Sequence, residues 1–183
     1  GYALPSVAVG TKVNEATKTV DLNFNVEPGQ RVYVRRINFS GNDQTQDLVL
    51  RGRLRQMEGS LYSQKMINDS KRKLSLLPYF RNVQVKVTPV PGKPDQVDLT
   101  YSVKEVPAGA FSIKGGYGDY QKFFYGVSIY QANFNGTGKG VSLGFQQSKL
   151  QTQVSLSIVN PMYTDYGVSR SMSVTYSKST PSD

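Results

Sequence analysis

Apolar and polar side chains alternate with a period of two through most of residues 110–178. Val141-Ser142-Leu143-Gly144-Phe145, Val154-Ser155-Leu156-Ser157-Ile158 and the run from Val168 to Tyr176 put aliphatic and aromatic residues at one parity. The other parity is almost entirely Ser, Thr, Gly and Gln. In a strand, successive side chains point to opposite faces, so this spacing separates the faces cleanly. A soluble sandwich also alternates, but its polar face is usually richer in charge. Small uncharged residues toward a lumen and apolar residues toward lipid form the transmembrane-barrel pattern. The pattern predicts strands near 110–118, 122–133, 139–148, 151–160 and 167–178. Links such as Asn135-Gly136-Thr137-Gly138 and Ser148-Lys149 predict consecutive antiparallel hairpins.

The first hundred residues pattern differently. Two short strands are predicted around Ala3–Lys12 and Thr19–Val26, separated by Asn14-Glu15-Ala16-Thr17 and closed by the turn Glu27-Pro28-Gly29-Gln30. Two strands without a helix cannot bury a core, so residues 1–29 fit the tail of a truncated domain. Val32–Phe39 predicts a third strand. A helix capped by Asp43 or Thr45 is expected to run to about Gln56, with Leu48, Leu50 or Val49, Leu54 and Met57 as its apolar stripe. Ser63 caps a second predicted helix through Leu76, with Met66, Ile67, Ser70, Leu74 and Leu77 inward and Pro78 as its stop. Strands at Val83–Val90 and Gln96–Val103 flank the turn Pro91-Gly92-Lys93-Pro94-Asp95. Residues 30–107 thus form a β-α-α-β-β unit of α+β class, with the helices on one sheet face.

Composition narrows the chemistry. The 183 residues include no Cys and no His, which removes disulfides, thiolate metal sites and the commonest general base and zinc ligand. No nucleophile relay built on Lys, Asp or Glu stands out, so the expectation is a non-enzymatic protein without metal, nucleotide or organic cofactor. The chain opens on Gly1 without Met, signal peptide or a run of ~18 apolar residues, encodes no transmembrane helix, and reads as a piece of a longer protein. The net charge is +9, and residues 31–106 carry most of it, with 14 Lys/Arg against 7 Asp/Glu. Such a segment suits an acidic partner, anionic lipid or nucleic acid; a solvated helix face is the plainer alternative. Aromatic and basic interleaving on a sheet face is missing, so nucleic acid is not an expected partner.

Several stretches together resemble the BamA family of outer-membrane assembly proteins. They are Arg31 to Asn42, Leu54-Arg55-Gln56-Met57-Glu58-Gly59, Pro78-Tyr79-Phe80-Arg81-Asn82-Val83, Asp95-Gln96-Val97-Asp98-Leu99, Gly115-Gly116-Tyr117-Gly118 and Asn160-Pro161-Met162-Tyr163. Their order and spacing carry the resemblance across essentially the whole chain. Pro78 departs from it, standing where many relatives would carry Gly. The resemblance implies the C-terminal strands of one POTRA domain (1–29), a complete POTRA domain (30–107) and the first strands of an outer-membrane β-barrel (108–183). The POTRA domain would lie in the periplasm and the sheet in the outer membrane. Partners would be unfolded outer-membrane β-barrel proteins, periplasmic lipoproteins of the assembly machinery and the lipid bilayer.

The same resemblance makes the first barrel strand, Phe111, Ser112, Ile113, Lys114, Gly115, Gly116, Tyr117 and Gly118, one side of a lateral seam that would template incoming strands by β-augmentation. Gly115, Gly116 and Gly118 offer few side-chain anchors and permit bending or slippage; alternatively they kink the strand or let Tyr117 pack across them. Phe123, Phe124 and Tyr125 are expected in a membrane-interface girdle, with ordinary sheet packing as the competing reading. Arg51 and Glu58 match lipoprotein-contact positions and would share one side of a helix and its following turn; a solvated pair is the alternative. A polypeptide-secretion pore of the same superfamily remains the alternative function, and a plain barrel wall a further one. Five strands cannot close a single-chain barrel, for which about eight is the usual minimum. Self-association through two open edges, or dependence on detergent, is therefore expected.

Overall fold

The structure is a computed structural model that describes residues 6–14, 18–27, 30–119, 122–164 and 167–180. Strands β1 (Ser6–Asn14) and β2 (Thr19–Glu27) form a two-stranded antiparallel sheet. β3 (Tyr33–Ser40), α1 (Asp47–Arg51), α2 (Gln64–Ser75), β4 (Phe80–Val90) and β5 (Lys93–Glu105) follow, and their sheet is ordered β3-β5-β4. β6 (Gly109–Gly118), β7 (Lys122–Gln131), β8 (Gly140–Ser148), β9 (Gln151–Asn160) and β10 (Arg170–Ser179) make a five-stranded meander in which every sequential pair is antiparallel. The β-α-α-β-β order and the five-stranded sheet both match the sequence pattern. Predicted features at residues 3–5, 15–17, 28 and 29 lie outside the described residues.

The chain packs as two compact units, one of residues 1–38, 54–71 and 84–101, the other of residues 39–53, 72–83 and 102–183. In the first, Val34, Leu99 and Tyr101 are wholly buried and Ile37 and Ile67 nearly so. The β1–β2 hairpin does the opposite: Val7, Val9, Leu22, Phe24 and Val26 lie on one face and are all more than half exposed. Gln56 is fully buried and fully used. Its amide nitrogen donates to Ser60 Oγ (2.6 Å) and the Leu61 carbonyl (3.0 Å), and its Oε1 accepts from the Ser63 amide (3.0 Å). Ser70 Oγ accepts from the Arg55 amide and donates to the Met66 carbonyl. Buried polar groups paired this completely specify one chain path through residues 54–63.

That path is not the helix predicted to reach Gln56. α1 ends at Arg51, where Gly52 makes the C-cap by donating to the Leu48 and Leu50 carbonyls. Its N-cap is Gln46, without a side-chain cap bond, so neither Asp43 nor Thr45 caps it. Of the expected stripe, Leu50 and Leu54 are buried, but Leu48 and Met57 are 76% and 59% exposed. α2 follows the sequence pattern more closely. Ser63 Oγ accepts from the Met66 amide, and Ile67, Ser70, Leu74 and Leu77 are buried, although Met66 is 46% exposed. β4 and β5 are longer than predicted because Pro91-Gly92 alone turns the hairpin.

Candidate functional site

Cross-strand register resolves the five-stranded sheet into rows. On one face run Val141–Ile158–Met172, Phe111–Ile129–Leu143–Leu156–Val174 and Ile113–Val127–Phe145–Val154–Tyr176. On the other run Ala110–Tyr130–Ser142–Ser157–Ser173, Ser112–Ser128–Gly144–Ser155–Thr175 and Lys114–Gly126–Gln146–Gln153–Ser177. Hydroxyls pair along the polar rows, as in Ser112 with Ser128 (2.6 Å) and Ser142 with Ser157 (3.1 Å). The apolar face stays exposed even away from the edges, where Leu156 and Ile158 are each 42% exposed on β9, a strand flanked on both sides. An apolar face left open across five strands marks a surface made for an apolar phase.

β6 stands at one edge of this sheet and β10 at the other. Phe111, Ile113 and Tyr117 project from the apolar side at 63–71% exposure, while Ser112, Lys114 and Gly116 belong to the polar side. Gly115 pairs with Tyr125 and Gly118 with Lys122. The expected aromatic trio divides between the two faces. Phe123 and Tyr125 share the apolar side, with ring centroids 6.2 Å apart, and Tyr125 lies 6.1 Å from Phe145. Phe124 has the opposite parity and sits over Gly116, where an added Cβ would come within 2.8 Å of its ring. Three consecutive strand residues cannot share a face, so Phe124 leaves the proposed lipid-facing girdle. Phe124, not Tyr117, covers the glycine.

Arg51 and Glu58 do not share a helix face either, because α1 stops at Arg51. The Arg51 guanidinium lies 5.3 Å above the Phe39 ring. Glu58 Oε1 accepts from the Ile37 backbone amide at 2.7 Å, satisfying a β3 donor. Both side chains belong to exposed residues, as partner contacts require.

The sequence reading missed a polar cluster around the β7–β8 turn. Asn133 Nδ2 donates to the Thr45 hydroxyl (2.8 Å), the Gly138 amide donates to Asn133 Oδ1 (2.7 Å), and the Gln46 amide donates to the Gly136 carbonyl (3.0 Å). The Glu105 carboxylate accepts from the Gln44 and Thr45 amides at 2.9 and 2.7 Å. Burial alone would raise the Glu105 pKa, but the Thr45 hydroxyl and these two amides outweigh it and hold the carboxyl below its ordinary range. Gly136 has φ +70°, and a Cβ there would strike the Gln44 carbonyl oxygen, so the turn needs glycine. The only advance signal was the Gly136 and Gly138 spacing, because Thr45 and Asn133 are 88 residues apart. Among the described residues, no group of three or more His, Cys, Asp and Glu side chains could hold a metal ion, and no helix is long and apolar enough to cross a membrane.

A small α+β unit leading into a five-stranded antiparallel sheet with one apolar and one polar face is the architecture of a POTRA domain continuing into an outer-membrane β-barrel. The POTRA family model, described as surface antigen variable number repeat, matches residues 32–106. The outer membrane protein assembly factor BamA of Neisseria meningitidis is 38% identical over 92% of this chain and 21% of its own length. The crystal structure of BamA from Haemophilus ducreyi lacking POTRA domains 1–3 superposes with a TM-score of 0.88 at 35% identity, over 98% of this chain and 34% of that one. The chain belongs to the BamA family, and it spans about a fifth to a quarter of the length of the curated relatives it matches. CdiB from Escherichia coli, 13% identical with a TM-score of 0.55 over 92% of this chain and 32% of that one, shares the fold alone.

Proposed function

We propose that this chain is the working segment of an outer-membrane protein assembly factor, in which β6 receives strands of unfolded barrel proteins and the α+β unit docks periplasmic partners. Residues 1–29 are then the end of one POTRA domain, 30–107 the last POTRA domain, and 108–183 the first barrel strands in the outer membrane. A barrel strand entering hydrocarbon must have every backbone N–H and C=O paired. An unpaired strand edge supplies those bonds without ATP or bond-making chemistry. The observation that carries this reading is glycine at 115, 116 and 118 in β6, the strand that follows the POTRA domain, where side chains would otherwise fix its register. Tyr117, Phe123 and Tyr125, on the apolar face at the C-terminal end of β6, serve as the interfacial aromatics. Arg51 and Glu58 serve the lipoprotein contact, and Glu58 also anchors β3.

Site-specific photocrosslinking in the parent protein tests this. Probes replace Ile113 or Gly115 on the edge and Ser155 in mid-sheet, with a stalled outer-membrane barrel precursor as bait. Crosslinks at the edge and not at Ser155 are expected. Crosslinks confined to Ser155 on the polar face would instead favour a polypeptide-secretion pore, and none at any position would leave a plain barrel wall.

A further inference from the structure

One row of the apolar sheet face breaks its own pattern. Below Val141–Ile158–Met172, at the same parity and toward the β5–β6 end, come Lys139, Asn160 and Arg170; Asn160 and Arg170 are a register pair. These three line a cleft of about 150 Å³ with Tyr163, Ile158 and Met172. The Arg170 guanidinium lies 5.0 Å over the Tyr163 ring, which fixes the cation while leaving its N–H edges to donate. Asn160 Oδ1 accepts from the Met162 amide (3.1 Å), so its NH₂ group is left as a donor. Neither cation forms an ion pair with a described residue. The single carboxylate of residues 122–180, Asp165, lies outside the described residues. The cleft therefore offers two cations and an amide donor at the foot of an exposed apolar wall formed by Ile158 and Met172.

We propose that Lys139, Asn160, Arg170 and Tyr163 form a head-group site for an anionic phospholipid of the periplasmic leaflet, with an acyl chain lying along Ile158 and Met172. The proposal rests on the membrane reading of the sheet. Two phosphate-reading cations that face no carboxylate among the described residues favour a head group of net negative charge over a zwitterionic one. The height is right for phosphate. On β10 the apolar-face parity meets its next cation at Lys178, eight residues beyond Arg170, or about 27 Å of strand. At a tilt near 40° that spans about 20 Å along the membrane normal, close to the apolar band of an outer-membrane barrel. Because Lys139 follows Gly138 in the turn that bonds to residues 44–46, a bound lipid would pin the barrel wall beside its attachment to the POTRA domain.

The test uses the intact parent protein in nanodiscs containing equal parts phosphatidylglycerol and phosphatidylethanolamine, with native mass spectrometry of the lipids retained on release. Retention of phosphatidylglycerol is expected to exceed that of phosphatidylethanolamine by roughly tenfold or more. The preference should collapse in Lys139→Gln/Arg170→Gln, persist in the charge-conserving Lys139→Arg/Arg170→Lys, and persist in Lys178→Gln at the opposite end of the band. Equal retention in the parent, or an unchanged preference in the double Gln variant, would overturn the site. A separate Leu156→Trp variant reports quenching by brominated lipid tails. Absent quenching would sink the membrane reading itself, whereas quenching without head-group selectivity would sink only this site.

Discussion

β5 and β9 have the same period and opposite surroundings. Along β5, Val97, Leu99, Tyr101 and Val103 are buried, and the intervening positions carry Asp98, Thr100, Ser102 and Lys104. Along β9, Val154, Leu156 and Ile158 are about 40% exposed, and the intervening positions are Gln153, Ser155 and Ser157, without a charge. The alternation says that a strand has two faces; the charge content of the polar face says which solvent each face meets. Water tolerates Asp and Lys beside a buried apolar row, whereas a barrel interior lined with small hydroxyls needs lipid on its apolar side.

The largest break in this comparison comes from the apolar rows. Leu99→Ala removes a wholly buried side chain and should cost about 2–5 kcal/mol, seen as a lower urea midpoint for the POTRA domain. Leu156→Ala faces lipid and should cost below about 1 kcal/mol in the membrane-inserted protein. Charge reverses the ranking within the sheet. Leu156→Arg should cost about 2–4 kcal/mol in bilayer refolding, while Ser155→Arg on the adjacent polar face should cost little. Equal penalties for Leu156→Arg and Ser155→Arg would mean that the two faces meet the same solvent.

Acid sharpens the comparison at the β7–β8 turn. The folded-state pKa of Glu105 is depressed, so its contribution is fully present above the unfolded value near 4.5 and is lost as pH falls through the lower folded value. Protection factors of the Gln44 and Thr45 amides, corrected for intrinsic exchange, should fall across that acid range, and Glu105→Gln should lower them at neutral pH and flatten the pH response. The neutral-pH loss should be about 1 kcal/mol, an ordinary figure for a partly exposed carboxylate with amide partners. The smallest effect belongs to Arg35 and Asp98, an exposed pair with Arg35 Nε at 2.9 Å from Asp98 Oδ1. Asp98→Asn should leave the POTRA urea midpoint where it was, because water and salt screen such a pair.

The limits of sequence reading show at particular residues. α2 was legible because Ser63, the Ile67–Ser70–Leu74 spacing and Pro78 are all local signals. α1 was not. Leu50 and Leu54 are spaced as on one helix, but Gly52 ends it and the buried Gln56 side chain holds residues 56–63 in another path. The hydrogen bonds that decide this come from Ser60, Leu61 and Ser63, beyond the window in which a helix pattern is judged. Phe124 has aromatic neighbours on both sides, and strand parity alone separates it from them.

By itself the sequence determined the strands, their two faces, the β-α-α-β-β order and the glycine-rich first barrel strand, because period, caps and turn residues act between near neighbours along the chain. Only the tertiary structure brought Thr45 to Asn133, set Phe124 over Gly116 and gathered Lys139, Asn160 and Arg170 around one cleft. Those meetings depend on the register between strands and on where a loop lands. Register follows from the packing and hydrogen bonding of whole strands, which no single segment encodes.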